Sequence, residues 1–269
     1  MNNHNFIETK EYRRFVEFCD ACIKYKYIGI CYGQPGVGKT LSSKKYCNWD
    51  SINYQIGDMR LERNLKRLNN DILHANKIYY TAPAERQLRI SSDVQLIGDK
   101  IATAQGRYII EHYNDKGSNF THGFSGIDLI IIDEIDRLKV QHLEQIRHIY
   151  DTYNLAVIFI GMPGIERKLS RYPQLYSRIG FAHEFDNLSK DETHHILEYK
   201  WKDLGFDLKL EDFSDYESIT TIIKITKGNF RLIHRLFSQI DRIMEINNLN
   251  KISVEVVEAA RDSLVIGIK

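Results

Sequence analysis

The chain has 269 residues, 43% hydrophobic and 27% charged, with a net charge of +1. That length carries one large or two modest domains with real cores, and the near-neutral balance excludes a global field drawing the whole molecule to nucleic acid or membrane. No apolar run approaches the roughly 18 residues of a membrane span, no secretory stretch opens the chain, and the four cysteines form no disulfide-like framework, so a cytoplasmic protein is expected.

Residues 9–24 predict an amphipathic helix, with Phe15, Val16, Phe18, Cys19 and Cys22 on or near one face. Cys19 and Cys22 make a C-x-x-C pair, but no second ligand pair stands near it. Two small apolar side chains on that helix are expected rather than half a zinc site. Residues 27–32 are β-prone and run into a glycine-rich loop at Gly33, with a helix expected from about Lys39. A short strand is expected at 77–81, helix over 86–112, a polar loop at 114–126 and a strand at 127–132. A helix at 136–153 and strands at 156–160 and 181–185 follow. Strands alternating with helices predict a parallel α/β sheet covered on both faces.

After residue 187 the pattern turns all-helical. Ser189 and Glu192 form a capping box opening a helix to 201; a second spans 215–227, closed by Gly228. A third spans 230–247 and a fourth 254–264, which Ser253 can cap. The expected division is an N-terminal helical segment (1–26), an α/β core (27–187) and a small helical domain (188–269).

Gly33, Gln34, Pro35, Gly36, Val37, Gly38, Lys39 and Thr40 complete a G-x-x-x-x-G-K-T motif, followed by Leu41. Glycines let such a loop turn its N–H groups onto phosphate oxygens, and the next helix offers its positive end to the same anion. Lys39 is expected on the β/γ-phosphates and Thr40 on Mg2+. About 100 residues on, the apolar run 129–132 delivers Asp133 and Glu134 at its C-terminal end, where ligands bind in open α/β sheets. Asp133 suits the Mg2+-holding role and Glu134 the orientation of an attacking water. No guanine-reading N-K-x-D occurs, so the nucleotide is expected to be ATP.

With Asp136, Arg137 and Leu138 continuing the acidic motif and Gly228-Asn229-Phe230-Arg231 opening a C-terminal helix, the chain resembles an AAA+ ATPase, a P-loop NTPase with a helical lid. Its Gly161-Met162-Pro163-Gly164 segment is similar to the AAA+ ATPases of DNA transposition, the group around Mu B, TnsC and TniB. That resemblance implies a homo-oligomeric ring or filament on duplex DNA. The oligomer would form with ATP, present target DNA to a transposase, with a target-selection protein as a further partner, and come apart on hydrolysis. It also implies a sensor-2 role for Arg231 and a trans-acting arginine finger at Arg178, with Arg171 the competing candidate. The family usually ends the strand before Gly161-Met162 in a polar side chain that positions water. Neither residue supplies one, so slow turnover without a partner is expected. Arg86, Arg89, Lys100, Arg107 and Lys116 are the candidate phosphate-contacting residues, although Asp93, Asp99 and Glu111 dilute that basic run. An AAA+ helicase loader, a regulatory or secretion-linked ATPase without a DNA role, and a scaffold that binds ATP without turning it over are the other readings.

Overall fold

In a computed structural model the described residues are 6–57, 67–84, 89–113, 123–205, 208 and 212–264. Two compact units emerge, one of residues 14–33 and 39–184, the other of residues 1–13, 34–38 and 185–269.

The first unit is built on five parallel strands: β1 (Ile28–Tyr32), β2 (Lys77–Thr81), β3 (Leu129–Asp133), β4 (Ala156–Gly161) and β5 (Ile179–Glu184). They lie in the order β2-β3-β4-β1-β5. β3 and β4 are buried along their whole length, as expected of apolar, β-branched runs covered on both faces. At one edge β5 alternates between half-buried and exposed residues. Helix α1 (Lys10–Tyr25) packs on β1 so tightly that a Cβ on Gly29 would stand 2.6 Å from both Cys22 Sγ and a Phe18 ring carbon. Cys19 and Cys22 are buried, free thiols in that packing, and no metal-ligating cluster occurs among the described residues.

Helices α2 (Lys39–Tyr46), α3 (Trp49–Ile56), α4 (Ile90–Tyr113) and α5 (Val140–Thr152) complete the layers with the one-turn helices α6 (Ile165–Leu169) and α7 (Pro173–Tyr176). Because β4 separates β1 from β3, the loops that leave β1 and β3 emerge at one sheet edge with a strand-wide gap between them, the usual ligand crevice of such sheets. Two expectations shift here. The helix expected over 136–153 begins only at Val140. Glu134 sits in the left-handed region (φ 59°), residues 135–137 form a 3-10 turn and Leu138 is extended. Helix 49–56 lies where no helix is expected from the pattern.

The second unit holds α8 (Lys190–Asp203), α9 (Phe213–Thr226), α10 (Phe230–Asn247) and α11 (Val254–Asp262) around a core of Trp201, Ile219, Ile222, Ile233, Leu236 and Val257. The expected capping box forms: Ser189 Oγ accepts from the Glu192 amide at 3.3 Å, and Glu192 accepts from the Ser189 amide at 3.0 Å. Gly228 takes φ +74° just beyond α9, as its closing role requires. Ser253 occupies the N-cap position of α11, but its side chain makes no capping hydrogen bond. No helix among the described residues is long and apolar enough to cross a membrane.

Candidate nucleotide site

The glycine-rich loop follows β1 directly and α2 begins at Lys39, the strand–loop–helix order its motif requires. Gly36 (φ +87°) and Gly38 (φ +119°) adopt backbone angles that side chains disfavour, which is why glycine stands there. Val37 is buried between them and Leu41 is exposed. Lys39 Nζ donates to the Gly33 carbonyl at 2.5 Å, folding the lysine back over the start of the loop. Burial lowers the Lys39 pKa below the ordinary lysine value, while Asp133, Glu134 and Asp136 act the other way and favour its charged form.

Thr40 Oγ1, at the start of α2, donates to Asp133 Oδ2 at 2.7 Å, bringing together motifs 93 residues apart. The other carboxylate oxygen, Oδ1, accepts the Glu134 amide at 2.8 Å. A third donor was invisible to motif reading: the Tyr79 hydroxyl, on β2, donates to Oδ2 at 2.7 Å and lies within 3.2 Å of Thr81 Oγ1. Parallel register explains how. Thr81 lies opposite Asp133 and Tyr79 opposite Ile131, so Tyr79 and Asp133 share one sheet face. The tyrosine side chain runs along that face to reach the carboxylate. Tyr79 is buried, with Trp49 packed at 6.2 Å and Lys44 Nζ 5.7 Å above its ring. Burial, with the adjacent Asp133 charge, pushes its pKa well above the ordinary tyrosine value, so the hydroxyl keeps its proton. The strand reads Lys-Ile-Tyr-Tyr-Thr, and nothing in it sets Tyr79 apart from its neighbour Tyr80 except the strand face it takes.

Glu134 is half-exposed, and its carboxylate stands 3.8 Å from the Arg137 guanidinium, which also donates to the Ala82 carbonyl at 2.8 Å. Left-handed φ is uncommon for glutamate; the amide bond to Asp133 and a turn bond from the Arg137 amide to the Glu134 carbonyl at 3.0 Å hold it there. At the end of β4, the Met162 amide donates to Asp136 Oδ2 at 2.8 Å, and Lys168 Nζ donates to the Asp136 carbonyl at 2.7 Å. The polar group at this strand end is therefore the carboxylate of Asp136, not a side chain of β4.

Residues 34–38 fall in the same compact unit as the C-terminal helices. There the Arg231 amide donates to the Gly36 carbonyl at 3.0 Å, and Asn229, which caps α10, donates from Nδ2 to the Pro35 carbonyl at 2.9 Å. A Cβ on Gly36 would stand 2.7 Å from both Arg231 Cβ and Asn229 Oδ1. The Arg231 side chain is exposed.

Arg178, just before β5, is engaged within its own chain: Nε and Nη2 meet Asp151 at 2.6 and 2.9 Å, and Nη1 donates to the Gln174 carbonyl. Arg171 is exposed. Of the basic residues between β2 and β3, Arg89 is exposed while Lys100 and Arg107 are half-buried on α4. Arg86 and Lys116 lie outside the described residues.

A five-stranded parallel sheet with a phosphate-type loop after β1 and an acidic pair after β3 defines a P-loop NTPase fold of the AAA type. The AAA domain family profile matches residues 22–169, and the chain belongs to that family. It is 71% identical over 268 residues, 99% of each chain, to a Staphylococcus aureus protein described as a potential ATP-binding protein. Among solved structures, the Thermotoga maritima RuvB Holliday junction branch migration motor shares the fold at 17% identity and a TM-score of 0.56, over 97% of this chain and 71% of RuvB. The Aeropyrum pernix ORC2 protein does so at 13% identity and 0.59, over 99% and 72%. The ORC1 protein of the same organism, solved in complex with DNA, does so at 17% and 0.56, over 95% and 65%.

Proposed function

We propose that this chain binds and hydrolyses ATP with Mg2+ and acts as a cytoplasmic switch of DNA transposition, assembling on duplex DNA with ATP, presenting it to a transposase and dissociating on hydrolysis. The carrying observation is the 2.7 Å contact between Thr40 and Asp133. It joins a hydroxyl and a carboxylate, the hard oxygen donors that Mg2+ takes, beside a phosphate-type loop. When bound, the ion neutralises charge on the β- and γ-phosphates.

The roles of the side chains follow from their chemistry. Backbone N–H groups of residues 33–40 cradle the phosphates, and Lys39 exchanges its contact with the Gly33 carbonyl for them. Glu134 orients the attacking water. Arg231, tied by its amide to Gly36, answers to the γ-phosphate, and Arg178 serves a neighbouring subunit once released from Asp151. Turnover by the free protein is slow, because Gly161 and Met162 offer water no side-chain hydrogen bond.

The DNA role draws on the transposition-type motifs and on the likeness to RuvB, a Holliday junction branch migration motor, and to ORC1, solved in complex with DNA. A further support is periodicity. Arg89, Lys100 and Arg107, at spacings of 11 and 7, fall on one helical face around α4. Three phosphate contacts per subunit correspond to a salt slope of about −3.

The test is binding to random-sequence duplex DNA with ATP, ADP or no nucleotide across a salt series, with Lys39→Ala as control. Binding that needs ATP, weakens with salt and is lost in the variant supports the reading. ATP binding without DNA binding would overturn the DNA role and favour a helicase-loader or other protein-partner switch. Absence of ATP binding would overturn the whole reading.

A further inference from the structure

Asp133 is held by more than the two nucleotide motifs. Its Oδ2 takes two hydrogen bonds at 2.7 Å, from Thr40 and from the buried Tyr79 hydroxyl, while Oδ1 takes the Glu134 amide. Tyr79 is fixed in turn by Thr81 Oγ1 at its hydroxyl, by Trp49 against its ring and by strand register with β3. From this arrangement we infer that Tyr79 is a positioning residue for the divalent cation, setting the orientation and donor strength of Asp133 through a Thr81–Tyr79–Asp133 chain. The inference rests on the proposed Mg2+–ATP reading.

Outer partners of this kind fix a ligand's geometry before the ion arrives, and their removal typically costs about 10–100-fold in metal affinity. Without the Tyr79 donor, Oδ2 keeps only the Thr40 hydroxyl, the group that would itself sit at the ion. The carboxylate then gains rotational freedom, and ordering it again weakens the ion. Metal-free nucleotide affinity has no such dependence, because Tyr79 acts through Asp133, which would hold the ion rather than the phosphates.

Tyr79→Phe keeps the ring, its packing on Trp49 and the Lys44 contact, and deletes only the hydroxyl. The experiment titrates free Mg2+ into full-length protein with a fluorescent ADP analogue, alongside nucleotide affinity in EDTA. The expected result is a Mg2+ midpoint about tenfold higher in Tyr79→Phe, with affinity in EDTA unchanged. Thr81→Val, on the exposed end of the relay, moves the midpoint in the same direction by a smaller factor. If Tyr79→Phe does not fold, Thr81→Val decides.

An unshifted Mg2+ midpoint in the folded variants overturns the inference and leaves the ATP reading standing. An equal loss with and without Mg2+ also overturns it, since that marks a merely structural role. A parent protein that binds no nucleotide overturns the ATP reading, and the inference with it.

Discussion

Gly161 ends β4 where a polar side chain would ordinarily help place water, so adding a side chain there is the natural experiment. Its φ is not positive, and backbone strain is not why glycine stands there. Space is the reason: a Cβ would lie 2.9 Å from Asp136 Oδ2, 3.0 Å from Ile135 Cγ2 and 3.1 Å from Ile165 Cγ1. Overpacking of this kind costs about 1–3 kcal/mol. Displacing Asp136 from the Met162 amide, an exposed bond, adds on the order of 1 kcal/mol. Gly161→Ala is therefore expected to lose about 2–4 kcal/mol, or about 4–16 °C in Tm at this domain size. Removing the carboxylate relieves the shortest contact, so Gly161→Ala combined with Asp136→Ala falls short of the summed single effects by about 1 kcal/mol. Of the two tryptophans, Trp49 lies in the sheet unit and Trp201 in the helical one. Denaturant unfolding followed by Trp49 fluorescence in a Trp201→Phe background thus reports the unit concerned. Additive effects, or a Gly161→Ala protein as stable as its parent, would refute the packing argument. On the same argument Gly161→Asn destabilises the sheet unit and does not raise turnover.

His142 supplies a pH dependence. Its Nδ1 accepts the Lys139 amide at the start of α5 at 3.1 Å, and burial, then the Lys139 charge, lowers its pKa below the ordinary 6.5. The unfolded chain takes up the proton first, so this contribution to stability is present above pH 6.5 and declines as pH falls through it; His142→Gln should flatten the stability profile between pH 7 and 5. Burial pushes the Cys22 and Cys47 thiols up to about 12 and holds Cys19 well above the ordinary 9.0, so at pH 8 they should resist iodoacetamide until the protein is denatured. Rapid labelling of the native protein would contradict their burial. Trp201→Ala, which empties a fully buried site against Phe237 at 5.4 Å, is expected to cost about 3–5 kcal/mol of helical-unit stability, read by circular dichroism melts.

β3 and β4 could be read from the sequence because each is a β-branched run with a loop signal at its end, and residues 33–40 and the Asp133-Glu134 pair because each is a recognisable motif. Contacts that no motif announces were not legible. Tyr79 reaches Asp133 only through strand register, and Asp136 takes over the Met162 amide only because β4 ends beside the turn after β3. The start of α5 was misplaced for a local reason: an acidic residue at Glu134 favours a helix start, yet its left-handed backbone breaks the helix and defers it to Val140.

The hydrogen bonds from Asn229 and Arg231 to the carbonyls of Pro35 and Gly36 bear on how this protein can be dissected. A shortened chain ending before residue 229 would keep every residue of both nucleotide motifs. It would also leave two carbonyls at the crest of the loop without their donors and remove the side chains against which Gly36 is fitted. Motif content alone would nominate residues 27–187 as a minimal nucleotide-binding fragment, and that fragment would have an unsupported loop. Limited proteolysis should show the same dependence: bound nucleotide, by holding residues 34–38, protects the C-terminal helices from cleavage.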